Sequence, residues 1–389
     1  MLCALNEKGE MISLVKKTDI QKRGQNFFCP VCHKRVILKA GSSRRWHFAH
    51  YYDTNCGTTE SESEYHLKGK EWLYEWLIDQ GFRAELETYF PEIKQRADLY
   101  VTSPMNTPIE FQCSTIRDDL FFTRTLNYII LNKKPLWILG GNRLERLGTY
   151  TFKLNRMEWM ALNETSFTPN EPFLLYFCPK TDLFALITKI IPYSTTKIIG
   201  DLQFFPRKQL KYISLFKDKH LYKQNNIHIK QWLQMKTNWR VYPYRRRTTA
   251  FRYVSRMLQS LNKDIPLFPR EAGLPSHYLF WIETPPHLWQ SWLLIQCIMP
   301  LSNEHTIHFR EVYAQFKRLV EMRVFTIRTL PLIEKSHYSF AIMNYLVLLC
   351  KIGILTRVGK STFKKNTQIQ IPNTLDTALQ MDKQVQLYF

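Results

Sequence analysis

The chain has 389 residues, with 54 Lys and Arg against 33 Asp and Glu, a formal net charge of +21. So large an excess of cations points to a polyanionic partner. An apolar content of 45%, with 25 Phe, 20 Tyr and 10 Trp, excludes disorder for most of the chain, and the length predicts two or three domains. The longest apolar runs, Trp292 to Leu301 and Ala341 to Cys350, fall short of the ~20 residues needed to cross a bilayer, so no membrane span is expected. Charges at Glu7, Lys8 and Glu10 stand where a secretion signal needs its apolar centre, which predicts a cytoplasmic protein.

Residues 1–57 contain short alternating runs, Met11 to Val15 and Val36 to Lys39, punctuated by glycines, and predict a small β-rich module. Cys29-Pro30-Val31-Cys32 is followed by His47-Phe48-Ala49-His50 and then Cys56. Two close pairs joined by a short loop supply the donors of a tetrahedral Zn²⁺ site. Five candidates compete for four places, so either His47 or Cys56 is a bystander, whereas Cys29, Cys32 and His50 are the firm members. A module this small buries too little apolar area to fold alone, so the metal is structural. The remaining cysteines lie apart from coordinating neighbours, and no disulfide framework is expected.

Residues 58–150 form the second predicted domain. Helical spacing runs from Ser61 to about Gln80, ending at Gly81, and places Glu62, His66, Gly69, Leu73 and Trp76 on one face. The period then switches to two, and Ala84 to Tyr89, Ala97 to Val101 and Ile109 to Cys113 predict three strands. Asp118 to Leu131 predicts a second helix, and Pro135 to Leu139 a buried fourth strand. If the second and third strands pair as a hairpin, Asp98 and Glu110 approach each other, with Gln112 on the same face as Glu110. Two facing carboxylates suit a hard divalent cation, Mg²⁺ or Mn²⁺, that polarises a phosphodiester and activates water.

Residues 151–265 read as mixed, with strands near Phe173 to Phe177 and Leu183 to Ile187, followed by a basic aromatic segment. Between Arg207 and Asp264 there are fifteen Lys or Arg and two acids, densest at Arg245-Arg246-Arg247, with Tyr and Trp interleaved. Cations that neutralise phosphates, beside rings that stack on unpaired bases, suit single-stranded DNA. A Pro-rich interval from Pro266 to Pro286 reads as a boundary before a mostly helical region, 266–389. There Tyr338 to Cys350 predicts a helix, followed by an Ile-Leu strand, a basic tip at Lys360, Lys364 and Lys365, and a strand at Gln368 to Ile371, which together resemble the end of a winged-helix unit.

The helix, three-strand, helix, strand order with Asp98 and Glu110-x-Gln112 resembles the PD-(D/E)xK nuclease superfamily. Joined to Cys-Pro-x-Cys, His-Phe-Ala-His and Glu62-Ser63-x-x-His66, it resembles the competence protein CoiA family. The resemblance, which covers the first ~140 residues, implies a nuclease-like αβββαβ core; with the residue patterns it gives an α+β and α/β chain of a zinc-ribbon-like N-terminal module, that core and a mostly helical C-terminal region, either with a winged-helix element or a plain helical domain with a terminal hairpin. It implies a protein that promotes recombination of imported single-stranded DNA during natural transformation, with single-stranded or branched DNA and recombination proteins as partners. It assigns Asp98, Glu110 and Gln112 to a metal site, with Glu62 and His66 supplied by the preceding helix. The superfamily usually has Lys where this chain has Gln112; a neutral amide orients water but does not deprotonate it. Lys70, one helical turn beyond His66, places a cation nearby. Three readings follow: a metal-dependent DNA nuclease, a non-catalytic DNA-binding adaptor that positions recombination proteins, and an RNA-processing nuclease of the same chemistry.

Overall fold

The computed structural model describes residues 1–15, 25–41, 45–51, 56, 62–164, 171–217, 228–243 and 248–385. Near its start, five short strands, β1 (Cys3–Leu5), β2 (Met11–Ser13), β3 (Phe27–Phe28), β4 (Arg35–Lys39) and β5 (His47–His50), form an antiparallel sheet ordered β2-β1-β3-β4-β5. Its core is small, centred on Ala4, Phe27, Val36 and Phe48, with the Phe27 and Phe48 rings 4.9 Å apart. The Cys29–Cys32 turn joins β3 to β4.

Helix α1 (Glu64–Ile78) starts later than its periodicity predicts, because the Ser63 hydroxyl accepts the His66 N–H at 3.2 Å and caps it. Glu62 therefore precedes the helix instead of riding its inward stripe. The chain continues through β6 (Arg83–Leu86), a small hairpin β7 (Tyr89–Phe90) and β8 (Gln95–Arg96), β9 (Leu99–Ser103), β10 (Thr107–Gln112), α2 (Asp118–Ile130) and β11 (Leu136–Gly140). Strands β6, β9 and β10 pair antiparallel and β10 pairs parallel with β11, so the order read from the period switch is the order built. Gly69 lets α1 lie close on β10, since a Cβ there would fall on the Phe111 ring.

The sheet does not stop near residue 150. After β12 (Glu145–Arg146), β13 (Thr151–Lys153) and α3 (Arg156–Met160), strand β14 (Leu174–Cys178) pairs parallel with β11 through Leu139 with Tyr176. The ten-residue strands β15 (Leu183–Pro192) and β16 (Lys197–Pro206) extend it into a nine-stranded sheet, ordered β12-β13-β16-β15-β14-β11-β10-β9-β6. Near-continuous apolar runs such as Leu174 to Phe177 are buried on both faces, as central strands require.

Beyond the sheet come α4 (Ser214–Lys217), α5 (Ile229–Val241) and α6 (Thr249–Gln259). The Pro-rich interval is packed, with Phe268, Ala272, Leu274, Leu279 and Phe280 buried in the same core as α6 and the following helices. Helix α7 (Pro286–Trp292) runs on as a π-helical stretch to Ile298, and is followed by β17 (Thr306–His308), α8 (Phe309–Glu321), α9 (Tyr338–Lys351), β18 (Leu355–Arg357), β19 (Thr362–Lys365) and α10 (Leu375–Val385). The three strands are ordered β17-β19-β18. Gln368 to Ile371 is not a strand, because the return strand of the hairpin is β19, and Lys365 is no part of a basic tip. Its ammonium is buried and donates to the carbonyls of Met299 at 3.0 Å and Leu301 at 2.5 Å, just past the π-helical stretch. Helix α10 is tied to α5 by Asp382, which takes Arg240 at 2.6 and 2.8 Å and Lys236 at 3.0 Å, all buried.

Candidate functional site

One cluster sits in the N-terminal module. Donor atoms of Cys29, Cys32, His50 and Cys56 all lie within 4.8 Å of one another, and Cys32 Sγ is 3.4 Å from His50 Nε2. Around a tetrahedral Zn²⁺ with Zn–S bonds of about 2.3 Å, sulfurs stand about 3.8 Å apart, so the set fits that ion in number, type and spacing. Side chains alternate along a strand, and His47 and His50 are three apart on β5, so only one of them can face the cysteines. His47 instead donates from Nδ1 to the Arg45 carbonyl at 2.9 Å. Burial, then the neighbouring Cys56 and Cys32 thiols, push the Cys29 thiol up to about 11, so a thiolate there needs a cation beside it.

The second cluster lies where α1, β9 and β10 meet. Thr107 pairs with Val101 and Ile109 with Leu99, so Glu110 continues the register to Asp98. Asp98, one residue before β9, accepts the Phe111 N–H at 2.9 Å and faces His66 Nε2 at 3.2 Å, both through Oδ2. Glu62 Oε1 and Oε2 accept from Lys70 Nζ at 2.9 and 2.8 Å, and Oε1 also from Arg96 at 3.1 Å. Lys70 is fully buried and reaches two more carboxylates, Glu87 at 2.5 Å and Asp98 at 3.7 Å. Glu87 has a left-handed backbone, φ 55°, and accepts the Leu2 and Cys3 N–H groups at 2.9 and 3.1 Å, joining the N-terminal module to this site. Arg45 of that module also pairs with Glu71 of α1. Burial alone would raise Glu62 and Asp98. Lys70 and Arg96 outweigh it at Glu62, as His66 and Lys70 do at Asp98, and both carboxyls are held well below the usual range.

Glu110 is placed differently. Its Oε2 accepts from Arg124 at 2.5 Å and its Oε1 from the Tyr128 hydroxyl at 2.6 Å. Burial, reinforced by Asp98, still raises it despite Arg124. Gln112 donates to the Ser114 carbonyl and hydroxyl at 2.9 and 3.2 Å. The donors brought within 4.8 Å are thus Glu62, His66 and Asp98, without Glu110. Their spacing is that of a metal site, and protein donors already occupy most of their oxygens. Glu62 and Glu110 have both oxygens engaged by protein donors and Asp98 has one, so the carboxylate oxygen most open to a cation is Asp98 Oδ1, which among the described residues has only Lys70 at 3.7 Å. Of the Asp98–Glu110 pair expected to share a cation, only Asp98 lies with the grouped donors, while Glu110 is turned to Arg124 and Tyr128.

Sequence reasoning missed Glu87, Arg124 and Tyr128. Arg124 and Tyr128 carried a signal, an i, i+4 pair on α2 with Tyr128 on the inward stripe of Phe121 and Thr125. Glu87 carried none, because two of its donors are backbone N–H groups far away in sequence and its pairing with Lys70 follows no helical or strand spacing. Above the cluster opens a cleft of about 640 Å³, lined by His66, Asp98 and Gln112 together with Lys94, Arg96 and Arg124. Arg245, Arg246 and Arg247 lie outside the described residues. Elsewhere in the basic segment Tyr212, Trp232, Arg207, Lys236 and Arg240 are buried, leaving Lys208, Lys211, Lys217, Lys230, Arg252 and Arg256 exposed beside Tyr242 and Tyr253.

Three family models match the chain: the N-terminal domain of competence protein CoiA over residues 12–59, its nuclease-like domain over 62–220 and its C-terminal domain over 227–379. Competence protein CoiA of Bacillus subtilis (strain 168) is 27% identical over 347 residues, spanning 88% of this chain and 90% of that relative. No solved structure matches. Because the three domains follow one another in family order with short intervals between them, the chain belongs to the competence protein CoiA family.

Proposed function

We propose that this chain acts in competence by holding imported single-stranded DNA on a nuclease-derived cleft and presenting it to recombination proteins. The observation that carries the reading is the cleft itself. It joins the guanidinium and ammonium groups of Arg124 and Lys94 to the Asn127, Asn142 and Gln112 amides and the Tyr65 and His66 rings, a mixture suited to a sugar-phosphate backbone with unpaired bases. The exposed cations of residues 208–256 and the net charge of +21 support it. A structural zinc fills the Cys29, Cys32, His50 and Cys56 cluster. The run α7, β17, α8, α9, β18, β19 has the order of a winged-helix unit. In it α9 is partly covered, the His277 N–H donating to Asn344 at 2.8 Å and Tyr278 lying 5.4 Å from Phe340, so the hairpin carrying Arg357 and Lys360 is the part open to phosphates.

A second reading, hydrolysis of the bound strand, is favoured by the grouping of Glu62, His66 and Asp98. Labelled single-stranded, duplex and branched DNA, incubated with zinc-loaded protein in EDTA, Mg²⁺ or Mn²⁺, separates the two. Binding that persists in EDTA with uncut strands supports the holding role. Cleavage lost in both Asp98→Ala and Glu62→Ala supports hydrolysis, and absence of binding to any of the three substrates sinks both.

A further inference from the structure

The carboxylate cluster is built around a cation that the chain itself supplies. Lys70 rises from α1 one turn after His66, is wholly buried, and lies within 4 Å of Glu62, Glu87 and Asp98. A buried ammonium is costly unless its partners are fixed in place. They are fixed: Arg96 holds Glu62, two backbone N–H groups hold Glu87, and the Phe111 N–H holds Asp98. Gln112, at the position where the superfamily resemblance would place a lysine, has its amide turned onto Ser114. The positive charge at this site stands on the helix, among the carboxylates, and not on that strand.

We propose that Lys70 stands in for the divalent cation of this cleft, leaving a permanently neutralised, metal-independent surface for DNA. The inference deepens the DNA-holding reading. Its failure is separable from failure of that reading, because metal binding is measured without DNA.

The test is Mn²⁺ binding to the zinc-loaded full chain, followed by electron paramagnetic resonance, with Asp98→Asn as the reference that reports ions bound at the cleft. Wild type should bind no more Mn²⁺ than Asp98→Asn. Lys70→Met should gain about one Mn²⁺ per chain, and the gain should vanish when Asp98→Asn is added. Should Lys70→Met not fold, Lys70→Met combined with Glu87→Gln removes one charge of each sign and keeps Glu62, His66 and Asp98 for the same measurement. One Mn²⁺ per wild-type chain that is lost in Asp98→Asn overturns the proposal whatever the variants do. So does a folded Lys70 variant that gains no ion.

Discussion

Glu87 shows how a single side chain sets the pH range of the molecule. Its ordinary value is 4.5; burial alone would raise it, but Lys70 and Arg96 outweigh burial and bring it to about 2. The folded chain therefore binds this proton more weakly than the unfolded chain. The stability that the carboxylate contributes is complete above about pH 4.5 and is lost as pH falls from there toward 2. Urea unfolding across that window should show a falling midpoint in wild type and a flatter dependence in Glu87→Gln. At neutral pH the same variant should be less stable by roughly 3 kcal/mol, because a buried ammonium loses a charged partner. Asp98 and Glu110 could be placed together from sequence, since strand alternation and a short turn fix their register. Glu87 could not, because a carboxylate that accepts backbone N–H groups 84 and 85 residues away leaves no pattern in side-chain types. Glu62 misled the periodicity because Ser63 is the better cap.

Among the elements, the sheet β1 to β5 depends most on something outside its own packing. Its core is a handful of residues, two of them Cys29 and Cys56 of the Cys/His cluster, so the proposed metal site and the core are one structure. Elemental analysis of tag-free protein should find one zinc per chain. Cys29→Ser, or exhaustive chelation, should release the metal and unfold this sheet, seen as rapid proteolysis before residue 62 with the nine-stranded sheet intact. Zinc-free protein in which that segment resists protease would remove the claim. The choice between His47 and Cys56 was legible in the sequence once His47 and His50 are set on one strand, where an odd spacing separates their faces. Lys365 was not legible, because its acceptors are main-chain carbonyls, and a buried lysine and a solvated one look alike in sequence.

At the scale of the whole molecule, charge is divided between interior and surface. Lys70, Lys236, Arg240 and Lys365 are spent inside, so the basic character that meets a polyanion comes from exposed groups such as Lys208, Lys211, Lys230, Arg252 and Arg256. Binding to single-stranded DNA should weaken steeply with salt. If about six phosphates are neutralised, the logarithm of affinity should fall with a slope near −4 against the logarithm of salt concentration. Arg245→Glu, Arg246→Glu and Arg247→Glu together should lower both affinity and slope without shifting the unfolding midpoint; a flat salt dependence would reduce the basic segment to a solvated face. The order of the nuclease-like core could be read from its period switches, and so could strands near Phe173 to Phe177 and Leu183 to Ile187, but not that they extend the same sheet, because an apolar run without alternation does not show which strand it pairs with. The Leu2 and Cys3 amides, shut against Glu87, have a consequence for how the halves of the molecule breathe. Their protons exchange with solvent once the contact with Glu87 opens, whether the small sheet undocks or unfolds, so two amide exchange rates set a lower limit on the free energy of undocking.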